Sequence, residues 1–382
     1  MSEPRNGLEF LDMLRETDGN KENSFDELSS YLEHRARERG VPIHGQFELT
    51  PLCNFDCRMC YAHLTGEQLK GRSLLTTEQW KDLIRQAYEA GMYQSTLTGG
   101  ECLTYPGFEE IYLYLHSLGC EVNVLTNGEL LDERWTRFFA DHMPASIQIT
   151  LYGNDNDSYE RVTGRRSFDT VIANIKRIRE ADLPLQIAIT PNRYLGEDVF
   201  DTLRIAKQLC EAVQINSSLF EPREDTGRMG QIEDLSIDDY IRIYRKEREL
   251  DGKVIREIPE NMLPEPGGPF HECSECGLRC GGGRSSFVIN WNGEMHPCNR
   301  LEQITAEPLQ DGFADAWKAI NDESNRWPRV AECDECPYDS ICDRCAATML
   351  QYAEPGKKPE KLCERTRYLV KNGIYRIAAC EG

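Results

Sequence analysis

At 382 residues the chain is long enough for two domains with separate cores, and its sixteen cysteines, in a chain this large with no signal peptide, point to metal rather than disulfides. Its 44 basic against 65 acidic residues give a net charge of −21, which excludes a generally basic duplex nucleic-acid binder while leaving room for a local basic patch. No run of about 18 apolar residues occurs and Met1, Ser2, Glu3 and Pro4 do not begin a signal peptide, so no membrane is expected and the cytoplasm is the expected location.

In chain order, residues 1–44 form an N-terminal extension with one amphipathic helix, Phe25–Arg35, whose apolar face is Phe25, Leu28, Tyr31 and Leu32. It is expected to cap the first domain. An extended stretch, Gln46–Thr50, then runs into Cys53, Cys57, Cys60 and Tyr61. Three thiolates in one loop can each hold one iron of a cubane cluster, and the fourth iron is left without a protein ligand. An open coordination position marks a reactive site, whereas the alternative reading of the loop is a structural zinc closed by His63.

From residue 45 to 262, short apolar runs alternate with helical patterns. The strand candidates are Gln46–Thr50, Ser95–Thr98, Val122–Leu125, Ser146–Leu151, Leu185–Ile189 and Val213–Asn216, and helix candidates include Thr77–Ala90, Phe108–Leu118, Phe168–Glu180 and Val199–Leu209. About six such units make a partial (β/α)6 TIM-like barrel of the α/β class, with its site at the C-terminal ends of the strands. The second strand ends in Gly99, Gly100 and Glu101, where glycines let the backbone approach a ligand and a carboxylate can accept from an ammonium group; a tight turn reads the same way. Cys102 beside them reads as a buried thiol. Later strands end at Asn127-Gly128, by default a turn, and at Thr150, and Arg161 follows in a helix-to-loop junction.

The proline and glycine of residues 264–269 mark a linker to a cysteine-rich domain at 270–382. It holds Cys273, Cys276, Cys280, Cys298, Cys333, Cys336, Cys342, Cys345 and Cys363, and Ser286–Glu294 reads as a hairpin turning at Asn292-Gly293. Paired Cys-x-x-Cys spacings alone read equally as zinc ribbons. Cys120, Cys210 and Cys380 match no pattern and read as apolar filler.

The Cys-x3-Cys-x2-Cys-aromatic loop resembles the signature of the radical S-adenosylmethionine enzymes, and the cysteine run from Cys280 to Cys363 resembles their SPASM module, with two residues between Cys342 and Cys345 where three are usual. The resemblance covers roughly residues 45–365. It implies S-adenosylmethionine chelated to the open iron of a catalytic 4Fe-4S cluster, whose electron releases a 5′-deoxyadenosyl radical that abstracts hydrogen from substrate. By the same resemblance Tyr61 packs near the adenine, Gly99, Gly100 and Glu101 hold the methionine amino group, Asn127 lines the cofactor, Thr150 meets the ribose and Arg161 the carboxylate. The family's Asp is replaced by Tyr152 after the fourth strand.

Two auxiliary 4Fe-4S clusters are implied likewise: one on Cys280, Cys298, Cys345 and either Cys273 or Cys276, the other on Cys333, Cys336, Cys342 and Cys363. The implied reaction is modification of a ribosomally made peptide by a thioether or carbon–carbon cross-link, with small-molecule radical dehydrogenation or sugar chemistry as the alternative. Expected partners are a peptide or small protein substrate and a one-electron donor such as flavodoxin or ferredoxin; because the extension is too short for a winged helix, another surface or a separate leader-peptide-binding protein is expected to recognise the peptide. Formylglycine formation on a sulfatase is not expected, for Asn299 follows Cys298 where that branch has an Asp, and an amide accepts no proton near neutral pH unless Asp334 or Glu294 reaches the substrate.

Overall fold

The computed structural model describes residues 24–216, 218–223, 235–252, 277–334, 336, 338 and 342–372. The N-terminal helix is longer than its apolar pattern, α1 (Ser24–Arg39), and Leu32 of the expected apolar face is exposed. Gly40 just beyond it accepts a 2.7 Å hydrogen bond from Trp317 Nε1, tying the extension to the C-terminal part of the chain.

Six parallel strands run in sequence order: β1 (His44–Glu48), β2 (Gln94–Thr98), β3 (Glu121–Thr126), β4 (Ser146–Thr150), β5 (Leu185–Ile189) and β6 (Val213–Ile215). The crossovers carry α2 (Thr77–Glu89), α3 (Phe108–Ser117), α4 (Glu133–Asp141), α5 (Asn156–Thr163), α6 (Phe168–Glu180) and α7 (Asp198–Leu209), as right-handed βα units require, and α8 (Ile237–Leu250) follows β6. The sheet stays open, so the partial barrel is the observed architecture. Thr76 begins α2 with a capping box, accepting from Gln79 N while Gln79 reaches back to the Thr76 N–H.

The C-terminal segment adds to this same sheet. Its hairpin is β7 (Ser286–Ile289) and β8 (Met295–His296), with Gly293 at a φ of +90° in the turn. β7 pairs in parallel with β1, His44 opposite Ser286 and Phe47 opposite Ile289, giving the order β6-β5-β4-β3-β2-β1-β7-β8. Pairing across some 240 residues leaves no local sequence signal. The packing that secures it is aromatic: Phe287 stands edge-on to Phe47 at 6.0 Å and to Phe313 at 5.1 Å. Beyond it lie α9 (Pro308–Asp311), α10 (Phe313–Asn325), α11 (Ala331–Asp334), α12 (Ala346–Leu350) and α13 (Glu360–Lys371).

Strand alternation divides the sheet into two unlike faces. Phe47, Leu97, Val124, Ile147, Ile149 and Ile187 are fully buried and pack in one core with Trp80, Leu83, Ile111 and Leu115 of α2 and α3. The opposite, inner face carries His44, Gln46, Glu48, Thr96, Asn123, Gln148, Thr150, Gln186 and Gln214. Among the described residues, no helix is long and apolar enough to cross a membrane.

Candidate radical site

The cysteine loop leaves the C-terminal end of β1, where a parallel αβ sheet exposes its ligands. It is docked backbone to backbone on the turn after β2: Gly100 N donates to Thr50 O at 2.6 Å and Glu101 N to Leu52 O at 2.8 Å. A Cβ on Gly99 would lie 2.4 Å from Thr50 O, and one on Gly100 2.3 Å from Leu52 O. This close approach is why glycine is needed at both positions. On its other side the loop hangs on the end of α5, through Asp56 N to Thr163 O at 2.9 Å and Arg58 N to Val162 O at 3.0 Å.

The three thiols face one another closely enough to interact. Burial pushes Cys53 up to about 12, with the Glu101 and Cys60 charges adding to it and the Phe55 N–H and Asn127 amide opposing. Cys57 is raised further by burial and then by Cys60 and Cys53, while the Tyr152 hydroxyl hydrogen-bonds to it. Tyr152, the departure from the family pattern, thus supplies a donor to a thiolate. Phe55 N and His63 N donate to Cys53 Sγ and Cys60 Sγ, each at 3.3 Å, and the His63 ring turns to Asp56, 3.5 Å away. Three thiolates in one loop, with Cys57 buried and Cys53 and Cys60 half-buried, repel one another unless cations sit among them. A soft, iron-bearing cluster supplies those cations, so the donor set fits a cubane.

Glu101 is fully buried next to this loop. Its Oε1 accepts from Thr126 Oγ1 at 2.8 Å and Leu103 N at 3.1 Å, and its Oε2 from Asn127 N at 2.8 Å. Burial raises its pKa against these donors. A carboxylate offers about four acceptor sites, so Oε2 keeps capacity for one more donor. Asn127 spans the gap to the cysteine loop, its Nδ2 2.7 Å from Asn54 Oδ1 and 3.7 Å from Cys53 Sγ. Glu129 extends this network, accepting from Asn54 Nδ2 at 2.5 Å and from Ser167 Oγ. Thr150 ends β4 half-buried, and Cys102 is buried with its thiol 3.3 Å from Leu125 O. Arg161 is 44 % exposed and holds Asp198 and, at 2.9 Å, Tyr194 O, so its fork is engaged by the first residue of α7 and the loop before it.

Tyr61 meets the C-terminal segment. Its hydroxyl lies 2.6 Å from Asn299 Nδ2, the Arg223 guanidinium stands 5.1 Å over its ring, and burial pushes the phenol up to about 12. Arg223 is the hub: its Nη1 and Nη2 donate to Glu48 at 2.5 and 2.8 Å, Nη2 donates to Asn299 O at 2.6 Å, and Nε lies 2.9 Å from Glu302 Oε1. Glu48, at 3 % exposure, sits at the end of β1 on the inner face. Sequence reasoning missed both residues. A glutamate inside the otherwise uncharged run Gln46–Thr50 was the available signal for Glu48; Arg223 carried none. The acids named as substitutes for the missing Asp are held elsewhere. Asp334 pairs with Arg329 at 2.5 Å, and Glu294, lowered to about 2 by its His296 and Asn290 bonds, stays in the hairpin turn. The carboxylates around Asn299 are Glu48 and Glu302, joined to it through Arg223.

The C-terminal cysteines gather in two groups. Burial pushes Cys298 up to about 11, with Cys280 and Cys345 adding their charge. Burial also pushes Cys342 to about 11, with Cys363 and Cys333 adding theirs, and Thr366 Oγ1 stands 3.3 Å from its thiol. Cys336 follows Cys333 in the same turn, its N–H on Cys333 O at 3.2 Å. The interacting thiols are thus Cys298 with Cys280 and Cys345, and Cys342 with Cys363 and Cys333. Cys273, Cys276 and Cys380 lie outside the described residues. Among the described residues no three His, Cys, Asp or Glu side chains close on a single-ion geometry.

Residues 47–204 match the radical SAM superfamily. The AdoMet-dependent heme synthase of Methanosarcina barkeri is 27 % identical over 322 residues, 79 % of this chain and 90 % of that one. The antilisterial bacteriocin subtilosin biosynthesis protein AlbA of Bacillus subtilis is 26 % identical over 323 residues, 81 % of this chain and 68 % of that one. In fold, the crystal structure of Streptococcus suis SuiB bound to precursor peptide SuiA superposes with a TM-score of 0.63 at 16 % identity, covering 90 % of this chain and 82 % of that one. With the glycine-docked cysteine loop at the end of β1, residues 47–204 are a radical SAM domain, and the chain that carries it is an enzyme of radical chemistry.

Proposed function

We propose that the enzyme modifies a ribosomally made peptide by a thioether or carbon–carbon cross-link. The observation that carries the substrate class is the inner face of the sheet. Gln148 Nε2 donates to Gln186 Oε1 at 2.7 Å and to Gln214 Oε1 at 3.1 Å, Ser146 Oγ to Asn123 Oδ1 at 2.7 Å, and His44 Nε2 lies 3.0 Å from Thr96 Oγ1. Rows of amides and hydroxyls match the alternating N–H and C=O groups of a peptide. An apolar substrate would cover the donors and acceptors these groups have left over without replacing the water they meet, whereas a peptide can pair with them. The relative named for bacteriocin biosynthesis supports the same reading.

Cys53, Cys57 and Cys60 hold the catalytic cluster, and Tyr61, Gly99, Gly100, Glu101, Asn127, Thr150 and Arg161 are the proposed S-adenosylmethionine-binding residues. When bound, these groups supply a carbon radical able to abstract hydrogen. The chain's own part is to orient the cofactor amine at Glu101 Oε2, keep water from Cys57 and lay the peptide along the inner face. The C-terminal thiol groups hold two auxiliary clusters, the first completed by Cys273 or Cys276. Domain limits at 44, 262 and 270, a flavodoxin- or ferredoxin-type donor, a separate leader-binding protein and a reducing cytoplasmic setting belong to the same proposal. Similarity to the heme synthase favours a second reading, radical chemistry on a small molecule. The test is mass spectrometry of reconstituted enzyme with a peptide encoded beside its gene, with a sulfatase peptide as control. A two-hydrogen loss confined to the first, located by fragmentation, supports the proposal; formylglycine formation, or turnover of a small molecule only, overturns it.

A further inference from the structure

Two arginine donors without acceptors lie where the N-terminal extension meets the loop that begins at Cys280. Gly40, just after α1, accepts from Trp317 Nε1 of α10 at 2.7 Å, and the Asn321 side chain of α10 stands against Gly40 while its Nδ2 donates to Gly283 O at 2.9 Å. The next residues run beside the same loop, Ile43 N and His44 N donating to Ser285 O at 2.9 and 3.1 Å. Arg37 is in the last turn of α1, one turn before Gly40. Its side chain is half-buried, yet its Nε is closed to solvent and has no hydrogen-bond partner, and among the described residues no carboxylate pairs with its guanidinium. Arg284, within the loop itself, is 3 % exposed; its Nη1 donates to Leu278 O at 3.2 Å, and its Nε too is without a partner. Buried N–H groups almost always have an acceptor, and a cation withdrawn from water needs one most. The protein packed around Cys280 raises its thiol, with the Gly282 N–H opposing, the Cys345 charge adding and the Arg37 charge opposing, so Arg37 acts on this thiol across the junction. A sulfur-rich, negatively charged group held by Cys280, Cys298 and Cys345 would supply the acceptor that the described residues do not.

We infer that Arg37, from the N-terminal extension, donates its Nε–H to the group bound by Cys280, Cys298 and Cys345 and raises the reduction potential of that group. This rests on the reading of these cysteines as the first auxiliary cluster site. The extension is then a wall of the C-terminal site as well as a cap on the first domain. A donated N–H and a nearby positive charge favour the reduced form, which carries one more negative charge than the oxidised form, and so make the site readier to take up an electron.

The test is a redox titration of the anaerobically reconstituted full chain, followed by electron paramagnetic resonance, in the parent and in Arg37→Met. The signal that Cys298→Ala removes identifies the first auxiliary site. Arg37→Met should disfavour the reduced form of that site about tenfold, a fall of about 59 mV for a one-electron couple, with iron content and the other midpoints unchanged. Arg37→Lys, which keeps the charge and loses the Nε–H, should fall between the two. An unchanged midpoint in Arg37→Met, or a shift confined to a signal that Cys298→Ala retains, overturns the inference and leaves the cluster reading intact. Should Arg37→Met lose iron, Arg37→Lys decides by the same titration: a lowered midpoint supports the inference and an unchanged one overturns it. Zinc in place of iron at Cys280, Cys298 and Cys345 of the parent overturns the cluster reading itself, and the inference with it.

Discussion

Arg223→Met tests whether the buried pair at the end of β1 ties the cysteine loop to the C-terminal segment. The Arg223 side chain is 16 % exposed and Glu48 is buried, so solvent screens the pair little. Removing one partner of a buried ion pair costs about 3–5 kcal/mol, because the remaining charge is left in a poorly polarisable setting. The protein can limit that loss by protonating the stranded carboxylate, which for an ordinary glutamate costs about 4 kcal/mol at pH 7 and about 1 kcal/mol at pH 5. The sign follows: a carboxylate whose pKa is raised in the folded variant loses stability as pH climbs above the unfolded value. The variant's deficit should therefore be largest at neutral pH and shrink towards pH 5. For a chain of this size it corresponds to a drop in unfolding midpoint of roughly 4–6 °C at pH 7. Glu48→Gln/Arg223→Met should recover much of the loss, since the carboxylate still left without Arg223 is Glu302, which at 42 % exposure is solvated. Scanning calorimetry at one heating rate across this pH range measures both. A deficit independent of pH, or a double variant no more stable than the single, would refute the reasoning.

Other expectations follow from the thiol groups and their neighbours. Anaerobically reconstituted protein should hold about twelve irons, and Cys57→Ala should keep about eight while releasing no 5′-deoxyadenosine, read by iron assay and chromatography; undiminished release would contradict the assignment. Gly100→Ala should displace the cysteine loop, because its Cβ would lie 2.3 Å from a carbonyl that cannot move independently, so cluster retention and cofactor binding should fall together. Tyr152→Phe removes the hydroxyl on Cys57, and with one fewer hydrogen bond to sulfur the catalytic cluster's potential should fall in a redox titration at unchanged iron content.

The sequence alone determined the parallel βα alternation, because strand and helix periods are local properties of the chain, and it located the reactive loop, because three cysteines at that spacing have few other uses. Spacing alone did not sort the C-terminal thiols; in the fold Cys298 interacts with Cys280 and Cys345, and Cys342 with Cys363 and Cys333. The sequence marked Gly99 and Gly100 as places of close backbone approach, and in the fold that approach is to the Thr50 and Leu52 carbonyls. Tertiary structure alone decided what lies far apart in the chain. The pairing of β7 with β1, the hold of Arg223 on Glu48 and Asn299, and the donation from Tyr152 to Cys57 all join segments that no local pattern relates. The physical reason is range: periodicity and spacing report on neighbours within a few turns, whereas a buried charge finds its partner only once the fold has brought distant segments together.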